Sequence, residues 1–137
     1  MAVLTAASSV AAQQAPSPEP PEHVIINFIL PINPDTTNLL LSVVSAQIRN
    51  HAKKITIVLA SPGGDPSSAF AAYNILRSLP IEITTFNAGN IDSAAMLIYC
   101  AGKHRYSLPS PARFLIHSAA LNPIQTNYPV EYGFLES

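Results

Sequence analysis

Apolar positions along the chain fall into short runs that begin at His23. Val24-Ile25-Ile26-Asn27-Phe28-Ile29-Leu30 is β-branched and apolar, alternates only weakly, and stops at Pro31. Such a run predicts a strand covered on both faces. Asn33-Pro34-Asp35 carries the signals of a helix start: a capping side chain, a proline suited to the first helical position, and an acid beside the positive end of the dipole. The helix that follows lines up Leu40, Val43, Val44, Gln47 and Ile48, and Arg49, His51, Lys53 and Lys54 lie toward its negative end. Ile55 to Ala60 is a second strand. Strand, helix and strand with short joints predict a parallel βαβ unit with a right-handed crossover.

The pattern then recurs. Ser61-Pro62-Gly63-Gly64-Asp65 is a sharp turn, and a helix from about Pro66 to Ser78 carries Phe70, Tyr73, Asn74 and Leu76. Ile81 to Phe86 is a third strand. Asn87-Ala88-Gly89-Asn90 predicts a turn into an apolar helix from about Ile91 to Cys100, stopped by Gly102. His104 to Ser107 and Arg113 to Ile116 are short strands joined by a proline-bounded turn at Pro109-Ser110-Pro111. From Leu121 to Ser137 no period is visible. Residues 1–22 are rich in Ala, Ser, Gln and Pro and predict a flexible tail. No Lys or Arg precedes Arg49, so the tail lacks the basic region of a secretory signal. The expected organisation is a tail over 1–22, one α/β domain over 23–119 and an irregular segment over 120–137.

Composition narrows the function classes. Of 137 residues, 48% are hydrophobic and 11% charged, against roughly a quarter charged in an ordinary globular chain. Seven Lys and Arg against eight Asp and Glu give a net charge of −1, which leaves no basic surface for nucleic acid. The longest apolar run, Ala94 to Ala101, is too short to span a membrane. A charge-poor surface predicts subunit contacts, hence an oligomer. One cysteine, Cys100, excludes an internal disulfide framework and a cysteine-rich zinc site. It is compatible with a reducing cytosol, and the expected location is cytoplasmic.

Ligands of parallel α/β folds meet the carboxyl ends of the strands. Gly63-Gly64, the segment Gly89 to Ser93, and His117 all fall there. Ser93 is expected in the first turn of a helix, where free amides favour developing negative charge. A serine there can attack a carbonyl if a base takes its proton, and His117 is the well-placed base. The amides of Ala94 and Gly64 are the candidate donors to the resulting oxyanion. Each piece has a plainer explanation: a serine in a first turn is most often a cap, and Gly-Gly after a strand is usually a turn. Asp65, Glu82 and Asp92 are expected as caps or solvated charges, and Cys100 as core. His23, His51 and His104 show no metal-ligand spacing, so neither metal nor cofactor is expected.

In combination these blocks resemble the proteolytic subunit of the Clp protease family. The resemblance runs through Ile57 to Asp65, then Ala72 to Leu76, then Gly89 to Ser93 leading into Leu97 to Gly102, then Lys103 to Pro109, and Phe114 to His117. It implies a Clp/crotonase-type α/β fold of repeated ββα units with a mostly parallel sheet, here shortened at its C-terminus. It also implies a serine endopeptidase acting on unfolded proteins or peptides. The family's nucleophile falls on Ser93, its base on His117, and its oxyanion donors on Gly64 and Ala94. Members assemble into rings fed by an ATP-dependent unfoldase, so ATP belongs to that partner.

The sequence departs from the family in two places. The family has a small residue before the nucleophile and Met after it; Asp92 and Ala94 stand here. A carboxylate beside Ser93 opposes an oxyanion unless it turns away to cap the helix. The family's third triad member, an acid, comes after a long helix and another strand. Beyond His117 the acids are Glu131 and Glu136, and neither matches a family motif. Loss of the acid's function in a triad costs about 10⁴ in rate. The alternatives are therefore a Clp-like structural subunit without activity and, more remotely, a crotonase-type enzyme for acyl-thioesters.

Overall fold

The computed structural model describes residues 21–117. Most of the expected tail, and all of the segment 120–137, lie outside the described residues. The elements run β1 (His23–Phe28), α1 (Pro34–Arg49), β2 (Lys54–Ser61), α2 (Pro66–Ser78), β3 (Glu82–Asp92), α3 (Ala95–Ala101), β4 (His104–Ser107) and β5 (Arg113–Leu115). The strands form one sheet in the order β1-β2-β3-β4, with β5 also on β3. Every pairing is parallel, as the βαβ pattern requires.

Helix α1 begins where its signals lie. The Asn33 side chain accepts the Thr36 amide at 2.9 Å, and the Thr36 hydroxyl accepts the Asn33 amide at 3.1 Å. This reciprocal box satisfies two donors that a helix start otherwise leaves orphaned. Helix α2 is capped by Asp65, whose carboxylate accepts the Ser68 amide at 2.7 Å. Its buried side is Ala69, Ala72 and Leu76, while Phe70 faces out. The small residues let α2 and its neighbours lie close over the sheet.

The helices cover the sheet face that carries Ile55, Ile57 and Leu59, all fully buried, together with Leu40, Val44, Leu76 and Ile98 in one apolar core. The other face is open among the described residues. Strand β1 alternates between exposed and half-buried up to buried Phe28, and Ile25 is 63% exposed. The expectation of a strand covered on both faces is thus corrected for β1.

The largest correction concerns residues 87–92. No turn forms at Asn87-Ala88-Gly89-Asn90; β3 continues through them as an 11-residue strand to Asp92. The turn-forming residues instead make an irregularity. Strand β2 advances from Leu59 to Ser61 while β3 advances from Asn87 to Ile91. The extra length on β3 is a bulge, fixed by the Asn87 side chain, which accepts the Gly89 amide at 3.0 Å. The bulge also divides β3 between two partners. Residues Thr84–Asn87 pair with β4, and Asn90–Asp92 pair with β5. Asn87 is fully buried and donates to the Arg113 carbonyl at 3.1 Å, which holds β5 to the upper half of β3.

Truncation in the core is expected to separate the two faces. Ile57→Ala should lower unfolding free energy by about 2–5 kcal/mol in urea melts, because a buried methyl cluster leaves a cavity. Ile25→Ala, on the open face, should change it by less than about 0.5 kcal/mol.

Candidate active site

Two turns leave the carboxyl ends of β2 and β3 and meet. After Ser61, Gly63 and Gly64 take φ values of 83° and 145°, a region that L side chains disfavour. Space imposes the same requirement at Gly63. A Cβ there would stand 2.5 Å from the Asp92 carbonyl oxygen, 2.9 Å from Ser93 Cβ and 3.1 Å from the Ala94 nitrogen. The glycine turn therefore lies directly on the segment Asp92-Ser93-Ala94.

Gly64 is fixed from its other side. The Ile32 amide donates to the Gly63 carbonyl at 2.8 Å, and the Asp65 amide donates to the Ile32 carbonyl at 2.9 Å. This parallel bridge uses the groups flanking Gly64 and leaves the Gly64 N–H itself out of the pairing. Asp65 then caps α2. Its hydrogen bond from the Ser68 hydroxyl, followed by that from the Ser68 amide, holds its carboxyl below the usual range.

Ser93 does not sit inside a helix, as the apolar pattern suggested. It occupies a left-handed turn, φ 53°, between the end of β3 and α3. A β-carbon makes that conformation unfavourable, so the surrounding structure must impose it. Three contacts do so. The Ser93 amide donates to the Leu115 carbonyl at 2.8 Å, its carbonyl accepts the Met96 amide at 3.0 Å, and Gly63 lies against its Cβ. A serine on a sharp, strained strand-to-helix turn is a feature that hydrolases of another fold also use. Ala94 is the N-cap of α3 and brings no side-chain capping bond. Its carbonyl accepts the Leu97 amide at 3.1 Å, and its own nitrogen faces the glycine turn.

His117 lies two residues beyond Leu115, whose carbonyl holds the Ser93 amide. Strand β5 thus delivers the histidine segment to the Ser93 turn. The ring pair Tyr99–Phe114, centroids 5.1 Å apart, packs β5 against α3.

Asp92 is neither a cap nor a solvated charge. It is 6% exposed, and its Oδ2 accepts Asn90 Nδ2 at 2.8 Å and an Arg113 guanidinium nitrogen at 3.3 Å. Asn90 also donates to the Ser61 carbonyl at 3.1 Å. This network was not visible in sequence, because Arg113 lies 21 positions away and reaches Asp92 only through the β3–β5 pairing. Glu82 is a surface partner: Lys54, at 3.1 Å, holds its carboxyl below the usual range. Cys100 is exposed, not core, because α3 is only seven residues long and buries Ala95, Ile98 and Ala101 instead. Among the described residues no three His, Cys, Asp or Glu side chains gather into a group able to hold a metal ion.

A glycine turn and a strained serine turn thus meet at the carboxyl edge of a parallel α/β sheet. The Clp protease family profile matches residues 22–127, and the chain belongs to that family. It is 40% identical over 67 residues to the ATP-dependent Clp protease proteolytic subunit 2 of Borreliella burgdorferi, a match covering 47% of this chain and 33% of that protein. It is 39% identical over 75 residues to proteolytic subunit 1 of Rhodococcus jostii, covering 53% and 34%. The solved catalytic domain of the ClpP protease from Plasmodium falciparum is similar with a TM-score of 0.63 and 32% identity, over 69% of this chain and 54% of that one. The chain spans about a third of the length of these curated relatives.

Gly63→Ala is expected to lower stability by about 2–4 kcal/mol, from left-handed strain and overpacking together. Thermal unfolding checks it. An unchanged melting temperature would mean that the two turns do not meet as described.

Proposed function

We propose that the chain is a Clp-like serine endopeptidase subunit that hydrolyses peptide bonds of unfolded proteins or peptides. The observation that carries this is the contact between the Gly63-Gly64 turn and the Ser93 turn. Ser93 Oγ attacks the scissile carbonyl carbon while His117 accepts its proton. The carbonyl oxygen becomes an oxyanion, to which the Gly64 and Ala94 amides donate. His117 returns the proton to the leaving amine, the C–N bond breaks, and an acyl-serine remains. Water, deprotonated by the same histidine, releases the acid and regenerates Ser93.

The likeness to Clp proteolytic subunits supports self-association into a ring, an ATP-dependent unfoldase as partner, and a cytoplasmic location. Among the described residues no helix is long and apolar enough to cross a membrane. A second function, a structural subunit without activity, draws on Asp92. The acid beside Ser93 is engaged by Arg113 and Asn90 and does not stand in for the family's triad acid.

Hydrolysis of a fluorogenic peptide separates the two. Wild type should turn over; Ser93→Ala should abolish turnover, and His117→Ala should cut it by roughly 10²–10⁴-fold. A folded, assembled wild type with no turnover would support the structural role. Mass measurement in solution should give a multiple of 14.6 kDa, and a clean monomer would contradict both ring forms.

A further inference from the structure

Asp92 poses a chemical problem that the proposed reaction does not resolve. Its carboxylate is buried, it is covalently adjacent to Ser93, and its Oδ1 accepts no hydrogen bond among the described residues. Its Cα lies no more than about 7.6 Å from that of Ala94, one of the two proposed oxyanion donors. A buried carboxylate this near in the chain is poorly screened, so left bare it opposes an oxyanion at those donors. We propose that Arg113 is a positioning residue that masks Asp92, so that a negative tetrahedral intermediate can form at Ser93.

The geometry supports this role. Arg113 reaches Asp92 Oδ2 at 3.3 Å from the strand that also supplies the Leu115 carbonyl for the Ser93 amide. Its side chain is 67% exposed, so it contributes little to the core. Asn90 shares the same carboxylate oxygen at 2.8 Å and also binds the Ser61 carbonyl, at the start of the glycine turn. Asn90, Asp92 and Arg113 thus join β2, β3 and β5 where the two turns meet. They turn the carboxylate toward a cation, not toward the α3 N-terminus, which carries no side-chain cap.

The inference rests on the serine-peptidase function, and a fluorophosphonate probe tests the two separately. Labelling of wild-type Ser93 tests the function, and the ratio of variant to wild-type rates tests the mask. Arg113→Gln should lower the labelling rate constant about tenfold with the probe's KI unchanged, because only the step that builds the oxyanion is opposed. The double variant Asp92→Asn with Arg113→Gln should recover most of that loss, since the charge itself is gone. A purely structural tie would leave the double variant as slow as Arg113→Gln or slower, and that result would overturn the proposal. So would an Arg113→Gln rate equal to wild type. If wild type does not label, amide hydrogen exchange decides the positioning role. Arg113→Gln should then speed exchange at Ser93 while Ile57 stays protected, and the double variant should restore it; unchanged Ser93 exchange in Arg113→Gln, or no restoration in the double variant, would overturn it.

Discussion

Gly63 and the Asp92-Ser93-Ala94 segment approach so closely that the space between them cannot hold another carbon. The rest of the site follows from that contact. A side chain at Gly63 would push the glycine turn away from Ala94 and separate the two amides proposed to bind the oxyanion. It would also remove one of the contacts that keep Ser93 in a left-handed conformation. The Ile32 bridge fixes the same turn from the other side, so the first loop of the fold, between β1 and α1, supports the site through its backbone.

Asp92 shows how a local departure is absorbed by tertiary structure. Placed next to the proposed nucleophile Ser93, an acid is a liability for acyl transfer. Here the strand carries its carboxylate into the β3–β5 seam, where Asn90 and Arg113 meet it. The seam exists because the bulge after Asn87 shifts the upper half of β3 from one partner strand to another. One irregularity of the backbone therefore places Arg113, Leu115 and the His117 segment beside Ser93.

Much of this was legible in the residues. The capping side chains at Asn33 and Asp65 depend on neighbours in sequence, and local physics determines them. The parallel order follows from short joints between strand and helix. Residues 87–92 were misleading for a definite reason. Asn and Gly favour turns and bulges alike, and only the pairing with β2 decides which forms. The misplaced helix start followed from that choice, and with it the expectation that Ser93 lay in a helix. Arg113 and Asn90 carried no signal, because their role depends on long-range register. Cys100 looked buried because α3 is apolar on its outer side as well as on the side of Ala95, Ile98 and Ala101 that packs into the core.

Amide spectra of the fluorophosphonate adduct test the central claim most directly, that the two turns build one oxyanion hole. The account predicts that the ¹H–¹⁵N resonances of Gly64 and Ala94 both move downfield on adduct formation at Ser93, as each donates to the phosphoryl oxygen, while Gly102 stays in place. An adduct at Ser93 that leaves Gly64 and Ala94 unmoved would contradict it.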